Sequence, residues 1–157
     1  KLEQLKVLYL FGTQITDVGL KEVAKLKQLT LLNLLRTQIT DTGLKEVAKL
    51  QKLNWLSLRA TQITVTDAGV KEVAKLQQLK GLALIDTKIT DAGLKDIAKL
   101  QNLTVLGLSN TQITDAGLKE VAKMKQLKYL YLFNTQITKA GVAELQKALP
   151  KCAISGP

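Results

Sequence analysis

The chain has no histidine, and its 157 residues include a single cysteine, Cys152. Each shortage closes off some chemistry. Without histidine the commonest general base and metal ligand is missing. One cysteine cannot build an internal disulfide framework. Placed three residues after Leu149, it is expected to be a small apolar filler of a C-terminal cap rather than a reactive thiol. Aromatics make up only 4% of the chain against a hydrophobic fraction of 46%, so the core has to be aliphatic. No apolar run approaches the ~18 residues that would span a membrane. No signal peptide precedes the body, and the chain opens at Lys1 inside a repeat rather than at Met, so a fragment or processed product is expected. No GxGxxG or Walker pattern marks a phosphate loop, and no serine sits in a nucleophile motif. Catalysis, a cofactor and a bound metal are therefore not expected.

What the chain does contain is one unit repeated six times, starting at Leu5, Leu29, Leu53, Leu79, Leu103 and Leu127 with spacings of 24, 24, 26, 24 and 24. A fixed period in this range identifies a solenoid, in which no unit buries its apolar face alone. The first half of each unit, LxxLxL, alternates with period two and predicts a short strand with its leucines inward. A TQIT or TKIT segment follows, whose isoleucines (Ile15, Ile39, Ile63, Ile89, Ile113, Ile137) continue the core. TDxGLKEVAKL then switches to helical spacing, with Leu20, Val23 and Ala24 on one face. Thr16 or Asp17 and their equivalents suit the helix N-cap, and the acid suits the helix N-terminus electrostatically. Strand, turn and helix in every unit require parallel strands stacked on one face and helices on the other.

This pattern, LxxLxLxxTxITDxGLxxVAxLxxL, closely resembles the leucine-rich repeat family along almost the whole chain. It is most similar to the bacterial repeats abundant in planctomycetes and to the related cysteine-containing class with its ITDxGL signature. The resemblance implies an α/β fold, a right-handed horseshoe with a concave parallel sheet and convex helices, usually serving protein recognition. One departure is consistent. The site normally held by Asn or Cys is Thr13, Thr37, Thr61, Thr87, Thr111 and Thr135, and a ladder of threonine hydroxyls satisfying loop backbone is expected. The glycines before each helix, Gly19 to Gly141, are expected to permit a close backbone approach or a positive φ.

A single domain over residues 1–157 is expected, with a C-terminal cap from about residue 140 to 157. There Lys139 replaces the usual Asp, Leu149–Pro150 stops the last helix, and the tail KCAISGP covers the open end. No comparable N-terminal cap precedes the repeats, so Leu5–Leu10 is expected to be an exposed edge strand. Repeat three carries two extra residues, TQITVTD for TQITD, which are expected to be a tolerated loop insertion.

Variation within the repeat is confined. The third, fifth, seventh and eighth positions of LxxLxLxxT face out from the concave sheet. These 24 of 157 positions hold every aromatic (Tyr9, Phe11, Trp55, Tyr129, Tyr131, Phe133) and both arginines, Arg36 and Arg59. Such types dominate protein-binding hot spots. Strand propensity and ring stacking would explain aromatics there, but they do not explain the arginines. Gly81, Ala83, Gly107 and Ser109 lie between Trp55 and the Tyr129/Tyr131/Phe133 wall, predicting a shallow trough about 10–15 Å wide. Asp86 and Arg59 would orient a peptide or partner loop in it. Asp86, Asn110 and Asn134 are expected to be turn-favouring residues at strand ends rather than a metal site.

The formal charge of +10 tends to suggest nucleic acid until it is located. Lysines recur in pairs, from Lys21/Lys25 to Lys119/Lys123, with an acid after the first: Glu22, Glu46, Glu72, Asp96 and Glu120. Each acid stands three residues before the next lysine, close enough on a helix to pair. A solvated face is expected, with nucleic acid disfavoured. Non-catalytic binding of a protein or peptide through the concave face is the leading expectation. The alternatives are homo-oligomers through the uncapped N-terminal edge, and polyanion binding along the convex lysine ridge.

Overall fold

The computed structural model describes residues 2–59 and 65–157. Among them, strands and helices alternate in chain order: β1 (Val7–Tyr9), α1 (Asp17–Val23), β2 (Leu31–Asn33), α2 (Asp41–Val47), β3 (Trp55–Ser57), α3 (Asp67–Val73), β4 (Gly81–Ala83), α4 (Asp91–Ile97), β5 (Val105–Gly107), α5 (Leu118–Val121), β6 (Tyr129–Tyr131), α6 (Lys139–Ala148) and β7 (Ala153–Ser155). The strands form one seven-stranded parallel sheet in sequential order. The register follows the sequence period, as in Val7↔Leu31 and Trp55↔Gly81. The chain is an α/β solenoid with the sheet on one face and the helices on the other.

The strands are only three residues long, shorter than the LxxLxL segments. The middle leucines, Leu32, Leu56, Leu82, Leu106 and Leu130, point inward and are essentially inaccessible. They join the helix residues Leu44, Val47, Val70, Val73, Leu94 and Ile97 in one aliphatic core running the length of the array. The cap supplies more than cover. Its Ala153–Ser155 segment pairs with β6 as a seventh strand in the 24-residue register, Tyr129↔Ala153, and Cys152 is buried beneath it.

At the other end the counterparts of buried residues stay partly exposed. Leu5, Leu8, Leu10, Ile15 and Leu26 only border the core, and Leu2 is 66% exposed.

The third repeat corrects one expectation. Ile63 lies outside the described residues, but Val65 is fully buried. Its carbonyl accepts from Lys88 N as the Ile15 and Ile89 carbonyls accept from Gln38 and Gln112. Val65 therefore fills the isoleucine position of that unit, and VTD rather than the first IT pair is in register with ITD.

Candidate partner-binding face

The threonine before each of α1 to α4 is the N-cap, and the Asp after it opens the first turn. Thr114 and Asp115 open the 3-10 turn that leads into α5, and Thr138 caps α6, where Lys139 replaces the Asp. The Asp does more than favour the helix dipole. Its carboxylate reaches the next unit and accepts both the backbone N–H and the hydroxyl of that unit's N-cap threonine. Asp41 takes Thr66 at 2.9 and 2.5 Å, Asp67 takes Thr90 at 2.9 and 2.7 Å, and Asp115 takes Thr138 at 2.8 and 2.7 Å. Asp17–Thr40 and Asp91–Thr114 repeat the arrangement. With its hydrogen given to the carboxylate, each of these threonine oxygens accepts from its own helix, as from Thr42 N or Gly141 N. Thr16 has no such carboxylate and makes no side-chain cap bond.

The same contact explains the glycines. A Cβ on Gly43, Gly69, Gly93, Gly117 or Gly141 would collide with the preceding unit's Asp carboxylate. Their φ values are not in the left-handed region, so close approach, and not backbone conformation, demands glycine. The lock was missed in the sequence, although one signal was present: Asp gives way to Lys139 in the final unit, which has no later N-cap to bind.

The sheet positions the variable residues as expected. Tyr9, Phe11, Tyr129 and Phe133 are 50–62% exposed, and Trp55 and Tyr131 are 37% and 38% exposed. Tyr9 and Phe11 stand at the first strand, Tyr129, Tyr131 and Phe133 at the sixth, and Trp55 stands between them. Side chains lie over two of the small residues of the expected trough. A Cβ on Gly81 would strike the Trp55 indole, and one on Gly107 would press on Ile85 at 3.2 Å. The small residues therefore seat neighbouring side chains, and Ser109 is itself buried.

The eighth position is a turn. Gly12, Arg36, Asp86, Asn110 and Asn134 all have φ between 53° and 68°, the left-handed region that Gly, Asn and Asp tolerate best. Ala60 falls outside the described residues. Asn134 Nδ2 donates to Asn110 Oδ1 at 2.9 Å, and Asn110 Nδ2 donates to Asp86 Oδ1 at 2.7 Å. Arg59 Nε stands 3.5 Å from the other Asp86 oxygen. Arg59 and Asp86, expected to orient a partner, thus engage each other first. Arg36 has neither a tolerant side chain for its φ nor an acidic partner among the described residues.

The threonine column acts locally. Thr37, Thr87 and Thr111 are buried, and each hydroxyl donates to the carbonyl three residues earlier at 2.7, 2.6 and 2.5 Å. Thr13 and Thr135 do the same, while Thr61 falls outside the described residues.

On the convex side the expected pairs form: Lys25–Glu22, Lys49–Glu46, Lys75–Glu72, Lys99–Asp96 and Lys123–Glu120, all within 2.7 Å. The hydrogen bond from Lys123 holds the Glu120 carboxyl below its usual range, with smaller help from Lys119 and from Lys95 of the preceding unit. Burial pushes the Cys152 thiol up, which keeps it neutral and suits a packing role. Among the described residues no cluster of three His, Cys, Asp or Glu could hold a metal, and no helix is long and apolar enough to cross a membrane.

Comparison with known proteins follows the same lines. The family described as leucine-rich repeat region matches residues 1–152. No curated protein matches the chain. Among solved structures, a leucine-rich repeat protein of Leptospira interrogans is 32% identical, with a TM-score of 0.76 over 98% of this chain and 38% of its own. An internalin C2 from Listeria monocytogenes is 25% identical, with a TM-score of 0.66 over 99% of this chain and 82% of that one. A second Listeria internalin is 24% identical with a TM-score of 0.67, covering 96% of this chain and 47% of its own, and shows the fold alone. The chain thus spans less than half the length of the Leptospira protein and of this last internalin.

Proposed function

Because this chain belongs to the leucine-rich repeat family, we propose that it is a non-catalytic module that recognises a protein or peptide through its concave sheet. Residues 1–157 act as one domain. Within the family, the ITDxGL signature supports a kinship with the bacterial repeats abundant in planctomycetes and with the related cysteine-containing class, with Thr at the Asn/Cys site. The supporting observation is the confinement of all Trp, Tyr, Phe and Arg residues to one face of a scaffold that otherwise repeats. Tyr9, Phe11, Trp55, Tyr129, Tyr131 and Phe133 offer rigid exposed area, and Arg36 offers a guanidinium with no acid paired to it among the described residues. Arg59 and Asp86 add a polar rim already ordered by their own contact.

The test is capture of a partner from cells of the source organism by the purified domain. Tyr129→Ala/Phe133→Ala should abolish capture at unchanged melting temperature, and Lys45→Ser/Lys71→Ser on the convex helices should leave it intact. The reverse pattern would refute the concave reading.

A second reading has its own observation. The first unit leaves Leu2 exposed, although its equivalents Leu50, Leu76 and Leu100 are buried, and β1 ends the sheet, so two copies could pair through these ends. Light scattering that shows a dimer lost on Leu2→Lys would favour self-assembly.

A further inference from the structure

The charges of this solenoid are sorted between its two flanks. The flank that runs from strand ends to helix starts carries the locking Asp residues, each engaged by a threonine. The opposite flank runs from helix ends back to strand starts, through residues 27–30, 51–54, 77–80, 101–104 and 125–128. These five connections contain Lys27, Lys52, Lys80, Lys125 and Lys128 and not one acid. This flank therefore carries five positive charges with no acid between them to offset any. The convex ridge has an equal surplus, but its charges are mixed: each acid pairs with the second lysine of its helix, and the first lysine stands beside that pair.

A cavity of about 440 Å³ opens on this flank, lined by Lys80, Gln101, Asn102, Thr104, Gln126 and Lys128. Lys80 and Lys128 immediately precede β4 and β6, two strand spacings or about 10 Å apart. Neither ammonium makes a hydrogen bond or ion pair among the described residues, unlike Lys52, which bonds Gln28, and Lys125, which bonds the Ala148 carbonyl. Between the two lysines, Thr104 donates to the Lys80 carbonyl and Asn102 to the Gln77 carbonyl, which fixes the floor. The lining is amide, hydroxyl and ammonium throughout.

We propose that this flank binds an anionic polysaccharide, with Lys80 and Lys128 holding its sulfate or carboxylate groups and the amides meeting its hydroxyls. Amide side chains both donate and accept, which suits sugar hydroxyls. Nucleic acid is the poorer fit. Single strands are held by stacking bases on aromatic rings, and all six aromatics of this chain lie on the concave face. The site is separate from the concave surface, so the two can be tested independently.

The measurement is binding of the intact chain to heparin, to neutral dextran and to single-stranded DNA across a salt series. Heparin should bind with an affinity that falls steeply with salt, because lysine contacts release counterions. Neutral dextran should not bind, and DNA should bind at least about tenfold more weakly than heparin. Lys80→Ser/Lys128→Ser should weaken heparin binding about tenfold and reduce the salt slope by about two contacts. Lys45→Ser/Lys71→Ser and Tyr129→Ala/Phe133→Ala should each leave it within about twofold, since neither touches the flank. No heparin binding at low salt, an equal loss with the convex pair, or DNA binding as tight as heparin would each overturn the proposal. Loss of partner capture with heparin binding intact would count against the concave reading alone.

Discussion

Gly69 and Gly19 occupy the same place in the repeat and should respond oppositely to one methyl group. A Cβ on Gly69 would meet the Asp41 carboxylate and come within 2.6 Å of Leu44, whereas one on Gly19 would meet only the movable Ile15 side chain at 2.8 Å. Gly69→Ala should therefore cost about 1–3 kcal/mol through overpacking. In Gly19→Ala the gain in helix propensity of about 1 kcal/mol offsets the shift of Ile15. Urea denaturation of the two variants checks this, and equal losses would contradict the lock. Arg36 supplies a second residue-scale test. Its φ of 53° strains a long side chain by about 1 kcal/mol, which Asn tolerates better. Arg36→Asn should raise the melting temperature while weakening partner binding. A fall in stability would show that Arg36 serves the scaffold.

At the scale of elements, the Asp–Thr contact couples each helix start to the next. Removing Asp67 orphans two donors of Thr90, so Asp67→Ala should cost about 1–3 kcal/mol. A double-mutant cycle of Asp67→Ala with Thr90→Ala should show coupling above about 0.5 kcal/mol. Strict additivity would argue against a shared contact. The lock also carries a pH signature. The Thr138 hydroxyl, and then its backbone N–H, hold the Asp115 carboxyl below the ordinary Asp value of 3.8. A depressed native pKa means the unfolded chain binds the proton more tightly. The stability from this group is therefore complete above the ordinary value, and it is lost as pH falls through the lowered one. An acid unfolding series should show Asp115→Asn losing part of the stability gap to the parent chain below about pH 4. An unchanged gap down to pH 2 would contradict it.

At the scale of the whole molecule, period and architecture were legible in the sequence, because alternating leucines and helical spacing recur until only one stacking satisfies them all. The lysine pairs and the threonine bonds were also legible, since both are local in sequence. Contacts between units were not. The Asp–Thr lock, the indole lying over Gly81 and the Arg59–Asp86–Asn110–Asn134 row each join residues about one period apart, which composition and spacing do not reveal. Val65 was misplaced because two residues of insertion allow two alignments, and only burial and its carbonyl partner choose between them. The face itself emerged from the sequence as a list of exceptions, and the sheet turned that list into two aromatic groups with Trp55 between them.

The most direct measurement of the central claim is the affinity of the captured partner for three proteins of equal stability: the parent chain, Tyr129→Ala/Phe133→Ala, and Lys45→Ser/Lys71→Ser. Losing two exposed aromatic anchors should weaken binding at least about thirtyfold, near 2 kcal/mol, while the convex variant should match the parent. Equal affinity for the aromatic variant and the parent would contradict recognition through the concave face.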